Sequence, residues 1–115
     1  VHKGYEVQIC DGADEFHRTG AVYSMSKASA APGKIGEWNV MEITLDGPRI
    51  KVDLNGVRVQ DFDPSTAKIP ERKQSYEPER GPRPEKGYIG IQNHDDVGGN
   101  HVEFKEISVR PLPGR

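Results

Sequence analysis

Two short runs hold the residue types best suited to chemistry. In Gly4-Tyr5-Glu6-Val7-Gln8-Ile9-Cys10, strand alternation puts Glu6 and Gln8 on one side and Tyr5, Val7 and Ile9 on the other. In Gly87-Tyr88-Ile89-Gly90-Ile91-Gln92-Asn93-His94, the same parity sets Tyr88, Gln92 and His94 opposite Ile89 and Ile91. Two such strands side by side would present a carboxylate, two amides and an imidazole on one surface. Carboxylate and imidazole serve as general acids and bases and also ligate divalent metals, while amides orient a polar ligand. A plainer reading stands beside this one. Glu6 and Gln8 would then be the solvated face of an edge strand, and His94 with Asp95 and Asp96 a turn cap or an oxygen-rich site for a structural cation such as calcium.

The elements that must position these groups are strands. Period-two segments recur along the chain and period-3.6 segments do not. Strands are expected at Gly4 to Cys10, Gly20 to Met25, Trp38 to Leu45, Ile50 to Leu54, Val57 to Val59, Gly87 to Asn93 and His101 to Val109. Asn55-Gly56 between two of them is a strong hairpin signal, because both residues tolerate positive φ. Asp46-Gly47 marks another turn. Residues 61–86 carry Pro64, Pro70, Pro78, Pro82 and Pro84 among charges of alternating sign, which reads as a long loop that is either functional or a solvated, lid-like excursion. About seven short antiparallel strands predict an all-β fold, a β-sandwich or jelly roll, within a single domain over 1–115. A closed jelly roll has about eight strands, and this chain starts inside one, so the expectation is an incomplete sandwich.

Composition narrows the function classes. The chain has 115 residues, 33% hydrophobic and 30% charged, with a formal net charge of -2 and signs interspersed, so no broad basic field invites nucleic acid or anionic lipid. No apolar segment approaches the roughly 20 residues that span a bilayer. The sequence opens at Val1 with strand-like residues close behind and no signal peptide, which leads us to expect a processed or trimmed product. The single cysteine, Cys10, cannot form an internal disulfide, and no Cys/His pair has zinc-finger spacing. Phosphate-binding glycine loops, nucleophile elbows and metalloprotease helix motifs are all missing.

Six motifs then occur in order: Gly4-Tyr5-Glu6-Val7-Gln8-Ile9, Thr19-Gly20-Ala21-Val22-Tyr23, Gly36-Glu37-Trp38-Asn39, Leu54-Asn55-Gly56, Gly87 to His94, and Val102-Glu103-Phe104-Lys105-Glu106-Ile107. Together they resemble the 3-keto-disaccharide hydrolase family, over nearly the whole chain. The resemblance implies a concanavalin-like jelly roll, a sugar substrate, and a periplasmic or secreted location. Family members are typically longer, with several strands ahead of the segment matching Gly4-Tyr5-Glu6 and an Asn-Ser-Gly-Ile type motif that this chain lacks. The chain therefore resembles the C-terminal part of such a domain, to be completed by an N-terminal piece or a second chain.

A 3-keto group acidifies the proton on the adjacent carbon, so an aglycone can leave by elimination and water can then add. That route needs a base, a group that polarises the ketone and an acid for the leaving oxygen. Glu6 and His94 are the candidates for base and acid, and a divalent metal held by residues such as Glu6, His94, Asp95 and Asp96 is a candidate polariser. Gln8, Tyr23, Asn39 and Gln92 would hold sugar hydroxyls and Trp38 would stack on a pyranose face. Tyr23 and Trp38 also suit packing, and Asn39 a structural hydrogen bond. His17 and His2 fall in a loop and a terminus, where surface exposure is the default. Two other functions fit the same fold: a non-catalytic carbohydrate-binding module, and a structural fragment that completes a sandwich with another chain.

Overall fold

The computed structural model describes residues 3–94 and 101–114. Their contacts fall into two compact units, Val1–Glu85 and Lys86–Arg115. The first holds an antiparallel meander of three strands, β1 (Met41–Asp46), β2 (Arg49–Leu54) and β3 (Val57–Phe62), in the order β1-β2-β3. No helix occurs among the described residues, so the fold is all-β as the alternation implies.

Turn chemistry fixes this meander. Asn55 and Gly56 both adopt positive φ, 51° and 79°, the pair of left-handed residues whose twist matches a two-residue hairpin. Asn55 does more than turn the chain: its Oδ1 accepts a hydrogen bond from Val40 N–H at 2.8 Å, and its own N–H donates to Val40 O at 2.8 Å. The side chain thereby ties the start of β1 to the β2–β3 turn. Gly47, at φ 57°, closes the β1–β2 turn.

Cross-strand register decides which face is buried. Ile50, Val52 and Leu54 of β2 point into the core, while Arg49, Lys51 and Asp53 point to solvent. In β3 the pairing slips between Val52 and Asp53: Val52 faces Gln60 and Asp53 faces Arg58, which leaves Val59 as an extra residue. This bulge turns both Val59 and Gln60 inward, where strict alternation would have turned only one. Against that face pack Ala21, Val22, Met25 and Ala28 from an irregular layer formed by residues 19–28, with Phe62 closing the cluster. Tyr5 meets Phe62 edge to face at 5.3 Å.

Gln60 is 4% exposed, and every polar atom of its amide is used. Its Oε1 accepts from Ser26 Oγ at 2.8 Å, and its Nε2 donates to the carbonyls of Ser26 and Lys27 at 3.1 and 3.2 Å and, at longer range, of Gly20. A buried irregular layer has carbonyls with no ladder to satisfy them, and the amide supplies the missing donor. Gly20, at φ 93°, lies so close to β3 that a Cβ there would sit 2.6 Å from Val59 Cγ2.

Elsewhere the strands are shorter than the alternation implies. Gly4 to Cys10 and Gly20 to Met25 do pair antiparallel, but only as a bridge at Val7↔Val22, because the chain reverses at Ser24 (φ 59°) and Val22 is bridged again by Ser26. Trp38 to Leu45 becomes a strand only from Met41, since Asn39 is turned into the preceding loop. The Gly87 to Asn93 and His101 to Val109 runs, in the second unit, form no strand among the described residues. Alternation creates a face, whereas a strand also needs a paired edge. Ile89, Ile91, Val102, Phe104 and Ile107 are accordingly exposed. On β1, Ile43 and Leu45 lie on the core side of the sheet yet are 44% and 56% exposed.

Replacing Gly20 by alanine strains a left-handed backbone and drives a methyl into Val59, so it should cost at least about 2 kcal/mol. Gln60→Leu keeps the bulk but orphans buried carbonyls, at about 1–3 kcal/mol. Urea midpoints of the two variants at unchanged slope check both values.

Candidate functional site

The pairing of residues 6–8 with 21–23 determines which side chains meet. Gln8 N–H donates to Ala21 O and Tyr23 N–H donates to Glu6 O, both at 2.9 Å, on either side of the Val7↔Val22 bridge. In this register Glu6 lies directly across from Tyr23, and Gln8 across from Ala21. Opposed residues of an antiparallel pair share a face. Val7 and Val22 are on the core side, and Glu6 lies near enough to Tyr23 to act on its phenol. Two of the residues singled out in the sequence, Glu6 and Tyr23, are thus neighbours in the first unit.

A histidine that the sequence left as a surface residue joins them. His17 packs its ring edge to face on Tyr23, at 5.2 Å between centroids and 75° between planes. Its Nδ1 lies 2.8 Å from both carboxylate oxygens of Asp14. The His17 hydrogen bond, reinforced by the Phe16 N–H, holds the Asp14 carboxyl below its usual range. Asp14 and His17 are three residues apart in an irregular turn, a spacing with no periodic signature, and their approach to Tyr23 exists only in the folded chain. Asp14-Glu15-Phe16-His17 could have been read as an Asx turn with an imidazole beside it.

Tyr23 is also held from behind. Ser24 is a non-glycine residue at positive φ, buried, with its N–H donating to Phe16 O at 3.1 Å. Arg80 reaches it from the proline-rich segment: Nη2 donates to Ser24 O at 3.1 Å and Nη1 to Ser24 Oγ at 3.3 Å, while Nε donates to Pro70 O. Glu77, buried beside Arg80, accepts from Lys73 N–H at 2.7 Å. Arg83 donates to Gly4 O and lies over the Tyr5 ring. Residues 63–85 are therefore strapped onto the first unit through Arg80 and Arg83, rather than standing off as a solvated excursion, and their turn at Asp63 is closed by bonds from Ser65 and Ala67.

The electrostatics match this arrangement. Partial burial pushes the Tyr23 phenol above its ordinary value, and the nearby Tyr76, Glu6 and Glu77 add to the shift. The Tyr23 hydroxyl thus keeps its proton through neutral pH. Glu77 is held below the carboxylate range, chiefly by the Lys73 N–H, with Arg80 contributing.

Other expected residues are placed differently. Trp38 is 62% exposed. The Asn39 amide is committed to its own loop and to the hairpin: Oδ1 accepts from Lys34 N–H and from Asn55 Nδ2, each at 2.8 Å, and Nδ2 donates to the carbonyls of Lys34 and Glu37, each at 2.9 Å. Gln92 and His94 are exposed members of the second unit, and Asp95 and Asp96 lie outside the described residues. Among the described residues no group of three His, Cys, Asp or Glu side chains converges.

The outer face of the sheet has a different character. Arg49 makes a two-pronged ion pair with Asp61, both contacts at 2.7 Å, and Arg58 a similar one with Asp53 at 2.6 and 3.3 Å. Each arginine lowers its partner's carboxyl. An open concavity there is lined by Val40, Glu42, Asp53, Gly56 and Arg58, but its Asp53–Arg58 pair is internally compensated.

The chain belongs to the family of 3-keto-alpha-glucoside-1,2-lyase-like domains, whose model matches residues 1–110. Among solved structures, it is similar to a "Putative glycosyl hydrolase" from Parabacteroides distasonis, with 28% identity and a TM-score of 0.56 over 69% of this chain. The match covers 48% of that structure, so the chain spans about half of its length. No curated protein matches the chain.

The lowered Glu77 carboxyl gives a pH prediction. A depressed folded-state pKa contributes stability above the unfolded pKa and loses it as pH falls through the folded one. Glu77→Gln should therefore be less stable than wild type at pH 7, and the gap should close on acidification; thermal melts from pH 7 downward check it.

Proposed function

We propose that the chain is the sugar-processing part of a 3-keto-glycoside lyase or hydrolase, cleaving the glycosidic bond of a 3-keto sugar by elimination. The observation that carries the reading is the Glu6–Tyr23 register in a chain that matches a 1,2-lyase-like family. In the proposed reaction the Glu6 carboxylate takes the C2 proton, which the C3 ketone has acidified. The C–H electron pair forms the C2–C3 double bond of an enolate, and the carbonyl pair moves to O3. When the carbonyl reforms, C1–C2 becomes a double bond and the C1–O bond breaks. The aglycone oxygen takes a proton from solvent and Glu6 returns its own there, so protons balance. Water added across the enone would complete hydrolysis. Gln8, on the same face as Glu6, is the proposed hydrogen-bonding partner for sugar hydroxyls.

His94 is proposed on residue type alone as a further acid–base group. A periplasmic or secreted setting, where sugar polymers and glycosides are met, is the location this reading favours.

Glu6→Gln keeps the shape of the side chain and removes the base. It should lower turnover of a p-nitrophenyl 3-keto-α-glucoside by about 10²–10⁴-fold without loss of cooperative unfolding. If wild-type protein binds such sugars and never releases the aglycone, the binding-module reading replaces the enzymatic one.

A further inference from the structure

We infer that Tyr23 is the ketone-polarising donor of this site, its hydroxyl hydrogen-bonding to the substrate's O3, and that His17, held by Asp14, is its positioning residue. The inference rests on the elimination reading and gives Tyr23 more than a sugar-holding role. Elimination through an enolate places negative charge on O3 in the transition state, and a donor fixed in advance at that oxygen is among the largest contributions a protein can make. Tyr23 is held through its chain neighbours and by a ring contact. Val22 before it is in the core, and Ser24 after it is locked at φ 59° by Phe16 and Arg80. The His17 ring stands against it, pinned through Nδ1 by both Asp14 oxygens.

A non-glycine residue in the left-handed region is disfavoured and persists only where its surroundings impose it. Here an arginine from 56 residues further along supplies two of the restraining bonds. The positive φ belongs to the tight turn of residues 22–25, closed by Met25 N–H on Val22 O at 2.8 Å, and that turn fixes the backbone of Tyr23 before substrate arrives. The base is across the strand pair, with the roughly 5 Å Cβ separation of opposed residues, so base and donor project side by side, as C2 and the C3 that carries O3 adjoin in a pyranose.

The ionisable groups facing Tyr23 are Glu6 across the pair, His17 and Asp14 from the turn before it, and Tyr76, Glu77 and Arg80 from the proline-rich segment. Partial burial, with Tyr76, Glu6 and Glu77 nearby, discourages phenolate formation, so the donor form should be lost only in alkali.

Turnover of p-nitrophenyl 3-keto-α-glucoside is measured for wild type, Tyr23→Phe, His17→Ala and His17→Phe, each checked for cooperative unfolding, and for protein carrying fluorinated tyrosine at position 23. Tyr23→Phe should lower kcat about 10²-fold with little change in KM. The fluorinated phenol, being more acidic, should move the alkaline limb of the kcat profile to lower pH. His17→Ala should lower kcat, and His17→Phe, which keeps an edge-to-face ring, should restore most of it. Wild-type kcat in Tyr23→Phe, or an alkaline limb that ignores fluorination, overturns the donor role while elimination by Glu6 stands. A His17→Phe variant no better than His17→Ala overturns the positioning role. No turnover by wild type, with binding retained, overturns both this inference and the reading beneath it.

Discussion

The first unit depends on one buried amide. Gln60 is the place where the regular sheet meets the irregular layer of residues 19–28, and a layer without a ladder can be buried only if something satisfies its carbonyls. The amide does so for Gly20, Ser26 and Lys27 while accepting from Ser26. It can reach them because the Val59 bulge turns it inward beside a valine that fills the space against Gly20. Removing the bulge would send Gln60 to solvent with Arg58, and the face that now holds Ala21, Val22 and Met25 would have unpaired carbonyls in an apolar setting.

That constraint propagates to the chemistry. Residues 6–8 pair with this layer, and the Val7↔Val22 register brings Glu6 opposite Tyr23. The strained turn at Ser24 follows at once, and the proline-rich segment is recruited to hold it through Arg80. Its prolines limit the freedom of a long connection, and its arginines spend their donors on backbone carbonyls of Pro70, Ser24, Pro78 and Gly4, which no ladder would otherwise satisfy. By contrast, the charged outer face of the sheet is closed on itself by two arginine–carboxylate pairs. Such exposed pairs add little stability.

Locally encoded features were legible in the sequence. Asn55-Gly56 declared its hairpin because two tolerated positive φ angles need no tertiary partner, and the parity of Glu6 and Gln8 against Val7 followed from alternation alone. The all-β class and the family resemblance were readable for the same reason. What was hidden depends on contacts distant in sequence. Val57 to Gln60 reads as plain alternation, so nothing signals that Gln60 is buried; the bulge arises from pairing with β2. His17 looked like a loop residue because its partners, Asp14 and Tyr23, meet it only after the turn has formed. Asn39 suited either a sugar contact or a structural hydrogen bond, and its amide closes the loop before β1. Runs such as His101 to Val109 have a strand's pattern and no strand, since alternation cannot provide the neighbouring edge.

The central claim is that bond cleavage begins with loss of the C2 proton, and it is tested most directly by a 3-keto-α-glucoside carrying deuterium at C2. The account predicts slower turnover of the labelled sugar, an enone intermediate or its hydration product, and deuterium found in solvent. Aglycone release at an undiminished rate with the deuterium still on C2 would contradict it.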